Sequence, residues 1–150
     1  NELILAECAA RNGNLNDGLP HLNKVRAWMN TGGHLNSNFQ GEAYSYLAYD
    51  AADFENGGIE NTDGIDSKKA FLREVIEERY VSGFGMHIPY NDSRRLRKSD
   101  GDIAVPYVLN LGPQSGPWPE RMPYATTEIN SNSNSPADDP GIFVKTRVNQ

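Results

Sequence analysis

Residues 67–95 read SKKAFLREVIEERYVSGFGMHIPYNDSRR, and the rest of the chain is arranged around them. Phe71, Leu72, Val75, Ile76, Tyr80 and Phe84 recur at intervals of three and four, the spacing of a helix with one apolar face. Lys69, Arg73 and Glu77 sit four apart on the opposite, charged face. The pattern predicts a helix over 67–84 with a core against its apolar side. Gly83 and Gly85 end it, and Pro89 with Asn91, Asp92 and Ser93 predicts a turn leading into the basic run of Arg94, Arg95, Arg97 and Lys98.

Upstream, Leu3, Ala6, Glu7 and Ala10 share one helical face over residues 2–12, and Gly13-Asn14 stops that helix. Asn16 or Asp17 is placed to cap a second helix, in which Leu19, Leu22, Val25, Arg26 and Met29 recur at three and four. The short link makes the two helices antiparallel neighbours. An isolated pair of this size cannot bury both its faces, and it resembles a single tetratricopeptide hairpin. The helix from Ser67 is the expected cover.

The intervening segment from Thr31 is rich in glycine and has no sustained period, with room for one short helix at 41–52. Its carboxylates, among them Asp50, Asp53, Glu55, Glu60, Asp63 and Asp66, lack the spacing of a calcium loop and read as a solvated acidic loop. Beyond residue 98, Asp102–Leu111 is an edge-type strand interrupted by Pro106, and prolines around Trp118 keep the chain extended. Residues 130–140 read as loop, and Ile142, Phe143 and Val144 as a short final strand or docking segment. The organisation expected is one mainly α domain over 1–150: a hairpin (2–30), a loop-rich insertion (31–66), a central helix and turn (67–98) and an extended C-terminal segment (99–150).

The net charge of −6 and pI of about 5.0 argue against nucleic acid as a partner. A lone Cys8 permits no internal disulfide and no CxxC site. His21, His34 and His87 are isolated, so no metal motif and no cofactor is predicted. No GxSxG elbow or phosphate loop occurs, and adjacent Glu77 and Glu78 diverge on a helix, so they do not make a catalytic pair. These absences argue against catalysis, and no enzyme is predicted. A carbohydrate hydrolase whose carboxylates leave no sequence signal, and a purely structural helical scaffold, stay open as alternatives.

Three segments carry a family resemblance. LILAECAARNGNLNDGLPHLNKVR (3–26), EVIEERY with its Gly83-Phe84-Gly85 exit and NDSRR (74–95), and PERMPYATTEINSNSN (119–134) occur in that order. Together they resemble the C-terminal part of the SusD/RagB family of nutrient-binding outer-membrane lipoproteins. The resemblance implies a surface-exposed protein that binds an oligosaccharide such as a starch fragment, or an oligopeptide, and delivers it to a TonB-dependent transporter of the SusC/RagA type. It also implies a longer protein, with an N-terminal region and lipid anchor outside these residues, since nothing within them would hold a membrane. No ligand residue carries over by motif. Within this chain the rings that would stack on a sugar are Trp28, Tyr44, Tyr46 and Tyr49, and the same rings equally suit packing of the insertion onto the helices.

Three charged residues interrupt apolar stripes: Glu7 beside Leu3 and Ala10, Arg26 beside Leu22 and Met29, and Arg79 beside Leu72, Val75 and Ile76. Buried charges persist only in pairs, so Glu7 is expected between or beside Arg26 and Arg79 in a structural ion-pair network. The alternative is that each side chain reaches out to water from the edge of its stripe.

Overall fold

The computed structural model of the chain describes residues 1–39, 45–103, 105, 120–135 and 141–145, and of 97–99 the backbone alone. Among the described residues the chain is mainly helical, with five α-helices and no strand. α1 (Glu2–Arg11) and α2 (Leu15–Asn30) form the hairpin. Gly13 makes the link with φ +72, a conformation that side chains resist. The cap of α2 falls on Asn14, earlier than expected. Its side chain accepts the Asp17 backbone N–H at 3.3 Å, so Asp17 supplies the donor in place of capping. The helices run antiparallel: Glu2 meets His21 and Lys24, and Gly18 lies against the Ala6 carbonyl. A Cβ on Gly18 would stand 2.6 Å from Phe71 of the next helix, so the hairpin and that helix touch through glycine.

That helix, α3 (Ser67–Ser82), is capped by Asp66, whose carboxylate accepts from the N–H groups of Lys68 and Lys69 at 3.1 and 3.3 Å. Ala70, Phe71, Leu72, Val75 and Ile76 are buried and make the core with Ala6, Ala10, Leu22 and Phe54. The apolar stripe ends sooner than predicted. The helix stops before Gly83, and Phe84 is 91% exposed.

The expected turn at 89–93 is instead the first part of another helix, α4 (Ile88–Ser99). Pro89 occupies its first turn, where a missing N–H is one the helix would leave unsatisfied anyway. Asp92 and Ser93 are buried, Asp92 pairs with Arg79 of α3 at 2.8 Å, Ser93 Oγ donates to the Tyr90 carbonyl at 2.9 Å, and Leu96 enters the core. Tertiary burial thus overrides turn-forming composition.

The helix expected at 41–52 does not form where the chain is described. Residues 45–50 are irregular, and two 3-10 turns, Ser37–Phe39 and Ala51–Phe54, flank the region. Asp50 and Asp53 cap the second turn reciprocally, a use of carboxylates that favours local hydrogen bonds over a helix through this point. The loop is held by Asn61, which is wholly buried. Its amide donates to the carbonyls of Phe54 and Ile65 at 2.9 and 2.8 Å and accepts the Ile65 N–H at 2.9 Å. Phe54 then bridges Tyr49 and Phe71, edge to face, at 5.4 and 5.2 Å between ring centres.

Further on, Ile103 is buried on α3 and Val105 packs against the same core. Most of the strand expected at 102–111 lies outside the described residues, as does Trp118. A short helix, α5 (Thr126–Ser131), forms where the sequence reading saw only a closing segment. Residues 142–144 make a turn, not a strand, and the Ile142 carbonyl accepts the N–H groups of Glu120 and Arg121 at 2.6 and 3.3 Å. No helix among the described residues is long and apolar enough to cross a membrane.

Candidate functional site

Trp28 lies in the last turn of α2 and is 52% exposed. Its orientation comes from the loop beyond the helix. A Cβ at residue 33 would stand 2.5 Å from the indole Nε1, so only glycine lets the chain pass this close and hold the ring. The His34 ring follows at 5.8 Å and 59° to Trp28, and Tyr46 meets His34 edge-on at 6.0 Å. The Tyr46 backbone N–H donates to Asn30 Oδ1 at 2.9 Å, which ties the insertion to the end of α2. Trp28, His34 and Tyr46 therefore form one aromatic face, in which His34 is a member that sequence reasoning missed.

Trp28 also borders a groove of about 490 Å³ between the N-terminal end of α1, the C-terminal half of α2 and the α3–α4 junction. Leu3, Ile4, Val25 and Ile88 give it apolar walls, and Glu2, Lys24, Arg79 and Ser82 reach its edge. The charges there are mutually paired. Glu2 contacts Lys24 Nζ and His21 Nδ1, each at 2.7 Å, and those two hydrogen bonds hold its carboxyl below the usual value. Arg79 is held by Glu7 at 2.7 Å and Asp92 at 2.8 Å.

Of the other rings predicted to stack, Tyr44 lies outside the described residues. Tyr49 faces a different surroundings from Trp28 and Tyr46. Asn23 clamps its backbone with two 2.8 Å bonds, the Arg26 guanidinium covers its ring at 3.9 Å, and Phe54 meets its edge. Its hydroxyl lies 2.7 Å from Glu60 and 3.0 Å from Glu74. Arg26 also donates to the Leu47 carbonyl at 2.7 Å and approaches Glu74 and Glu78 at 3.9 and 3.7 Å. Burial, then the neighbouring Glu60 charge, pushes the Glu74 carboxyl up to about 7, and burial raises Glu77 and Glu78 as well. The Tyr49 phenol is pushed far above its ordinary value by burial and the Glu60 hydrogen bond.

Glu7 is 6% exposed and accepts from three arginines: Arg79 at 2.7 Å, Arg11 at 2.8 Å and Arg95 at 2.9 Å. Burial raises its carboxyl, but the bonds from Arg95 and Arg11 outweigh this and the net shift is downward. The expectation is thus corrected for Arg26, which joins Glu74 and Glu78 in place of Glu7. α2 turns that residue toward the insertion, and Arg95 from α4 takes the place assigned to it. Once 88–99 is read as helix, Asp92 and Arg95 fall three apart on one face, the signal that would have found them.

Four of the insertion's acidic residues serve structure: Asp63 pairs with Arg73 at 2.7 Å, Asp66 caps α3, and Asp50 and Asp53 cap a turn. No family model, curated protein or solved structure matches this chain.

Proposed function

We propose that the chain is the ligand-binding and docking part of a cell-surface nutrient-binding protein of SusD type, which takes up an oligosaccharide and passes it to a TonB-dependent outer-membrane transporter. The three ordered segments resembling that family support the reading, and the antiparallel pair α1–α2 with α3 against it is compatible with the helical hairpin which that resemblance implies. The observation that carries the ligand class is Trp28, half-exposed and braced by Gly33 beside His34 and Tyr46. A rigid flat ring loses little freedom when it stacks on the apolar face of a pyranose, while hydroxyl and imidazole groups meet the sugar's polar edge.

Binding without chemistry is supported by the carboxylates. Glu60 and Glu74 both bond a single phenol inside the packing of the insertion, which leaves no room between them for a glycosidic bond and a water. In this reading the protein is lipid-anchored through a segment outside these residues and sits on the outer membrane as a lid over its transporter, with no part for nucleic acid. A panel of neutral oligosaccharides and short peptides, followed by calorimetry and by product analysis of the same mixtures, tests it. Saturable saccharide binding with the sugars recovered intact is the expected result. Release of shorter sugars would move the protein to the hydrolases, and capture of peptides alone would replace the ligand class.

A further inference from the structure

The hydroxyl of Tyr49 has one hydrogen and two carboxylate neighbours, Glu60 at 2.7 Å and Glu74 at 3.0 Å. If both carboxylates are ionised, one of these contacts is oxygen against oxygen with no hydrogen between. The phenol has no way to turn aside: Asn23 clamps the Tyr49 backbone on both sides, Arg26 covers the ring and Phe54 abuts its edge. One of the two carboxyls must therefore bring a hydrogen of its own. Glu74 is the more buried, at 8% exposure, and a carboxyl in that position is stabilised as the neutral acid.

The charges facing Glu74 point the same way. From α2 there is only Arg26, 3.9 Å away and shared with Glu78. From the insertion there is Glu60, while Asp63 is taken by Arg73. From α3 itself come Glu77 and Glu78. Carboxylates outnumber cations around this point, so a further negative charge there is poorly compensated.

We infer that Glu74 is a protonated latch: its carboxyl O–H donates to Tyr49, Tyr49 donates to Glu60, and this chain of two hydrogen bonds holds the insertion against α3 until the Glu74 proton is lost. Above that point the insertion loosens from the helix. Because Glu74 is raised toward about 7 when folded from a usual 4.5, the latch is fully present below the usual carboxylate range and is lost as pH rises through neutrality.

Backbone hydrogen exchange of the full chain, corrected for the intrinsic pH dependence of exchange, reads the latch directly at residues 49–61. Glu74 releases one proton per opening, so it contributes a rise of about tenfold per pH unit in the opening constant from about pH 5 to about pH 7, levelling off above. In Glu74→Gln, whose amide N–H still donates to Tyr49, this slope should fall by one proton while Glu77 and Glu78 continue to contribute. Equal slopes in the wild type and Glu74→Gln would overturn the inference. Should the variant fail to fold, the carboxyl ¹³C signal of Glu74 in the wild-type chain decides. A titration near neutral pH is expected, and a signal that stays at its ionised position from about pH 5 upward would overturn the latch.

Discussion

Replacing Glu7 by alanine is the perturbation whose cost is best defined by the structure. Removing one member of a fully buried pair costs about 3–5 kcal/mol because the partner is left charged and dry. Here the arginines are not orphaned. Arg79 and Arg95 keep Asp92 at 2.8 and 3.2 Å, and Arg11 keeps Asp100 at 3.0 Å. Their side chains are also 23–45% exposed, so water reaches them. What is lost is a set of charge-assisted hydrogen bonds, each worth roughly 1.5–3 kcal/mol when measured singly and less when its partner finds another acceptor. We therefore expect Glu7→Ala to cost about 2–3 kcal/mol, read as a lowered urea midpoint by circular dichroism with an unchanged slope. The acid side supplies a second check. The Glu7 carboxyl is held below its usual value of 4.5, so its contribution is full above that value and is lost as pH falls through the lower folded value. The gap between wild type and variant should close in acid. A variant as stable as the wild type near neutral pH would show that Glu7 does not tie α1 to α3 and α4.

Asn61→Ala should destabilise by about 3 kcal/mol in the same urea assay, because two carbonyls and one N–H lose their partner where the Asn61 side chain is buried, and Asn61→Asp, which cannot donate, should not restore it. Gly33→Ala should change the unfolding free energy in the urea assay by less than about 1 kcal/mol, since half-exposed Trp28 can swing away, yet weaken saccharide binding about tenfold. Unchanged affinity would separate the ring's orientation from binding.

The hairpin and α3 were legible because their signals are local: apolar residues at three and four, and a Gly13-Asn14 link, whereas the capping role of Asp66, read as part of an acidic loop, came only with the fold. α4 was not, because Pro89 and Asn91-Asp92-Ser93 speak for a turn when taken alone. Its helix is decided by tertiary burial of Asp92, Ser93 and Leu96, with Asp92 paired to Arg79 of α3 and Arg95 to Glu7 of α1, and residues 88–99 taken alone carry none of these partners. The charged interruptions at Glu7, Arg26 and Arg79 were visible as a stripe pattern, but partner choice depends on how helices are rotated against one another. Arg95 and Glu74 therefore came only with the fold. Asn61 gives no signal of its kind in sequence, since a buried loop asparagine has the same neighbours in sequence as an exposed one. For the aromatic face, Trp28 and Tyr46 were marked by residue type, whereas His34 joins them through the tight passage of Gly33.

The central claim is that a braced aromatic face on the end of α2 binds saccharide. Calorimetric titration of the full chain with a neutral oligosaccharide that binds it, repeated with Trp28→Ala and Trp28→Phe, tests it most directly. Stacking on an aromatic plane predicts that Trp28→Ala weakens binding tenfold or more, about 1.4 kcal/mol at least, that Trp28→Phe recovers part of it, and that both variants keep the wild-type circular dichroism. Affinity unchanged by Trp28→Ala would contradict the account.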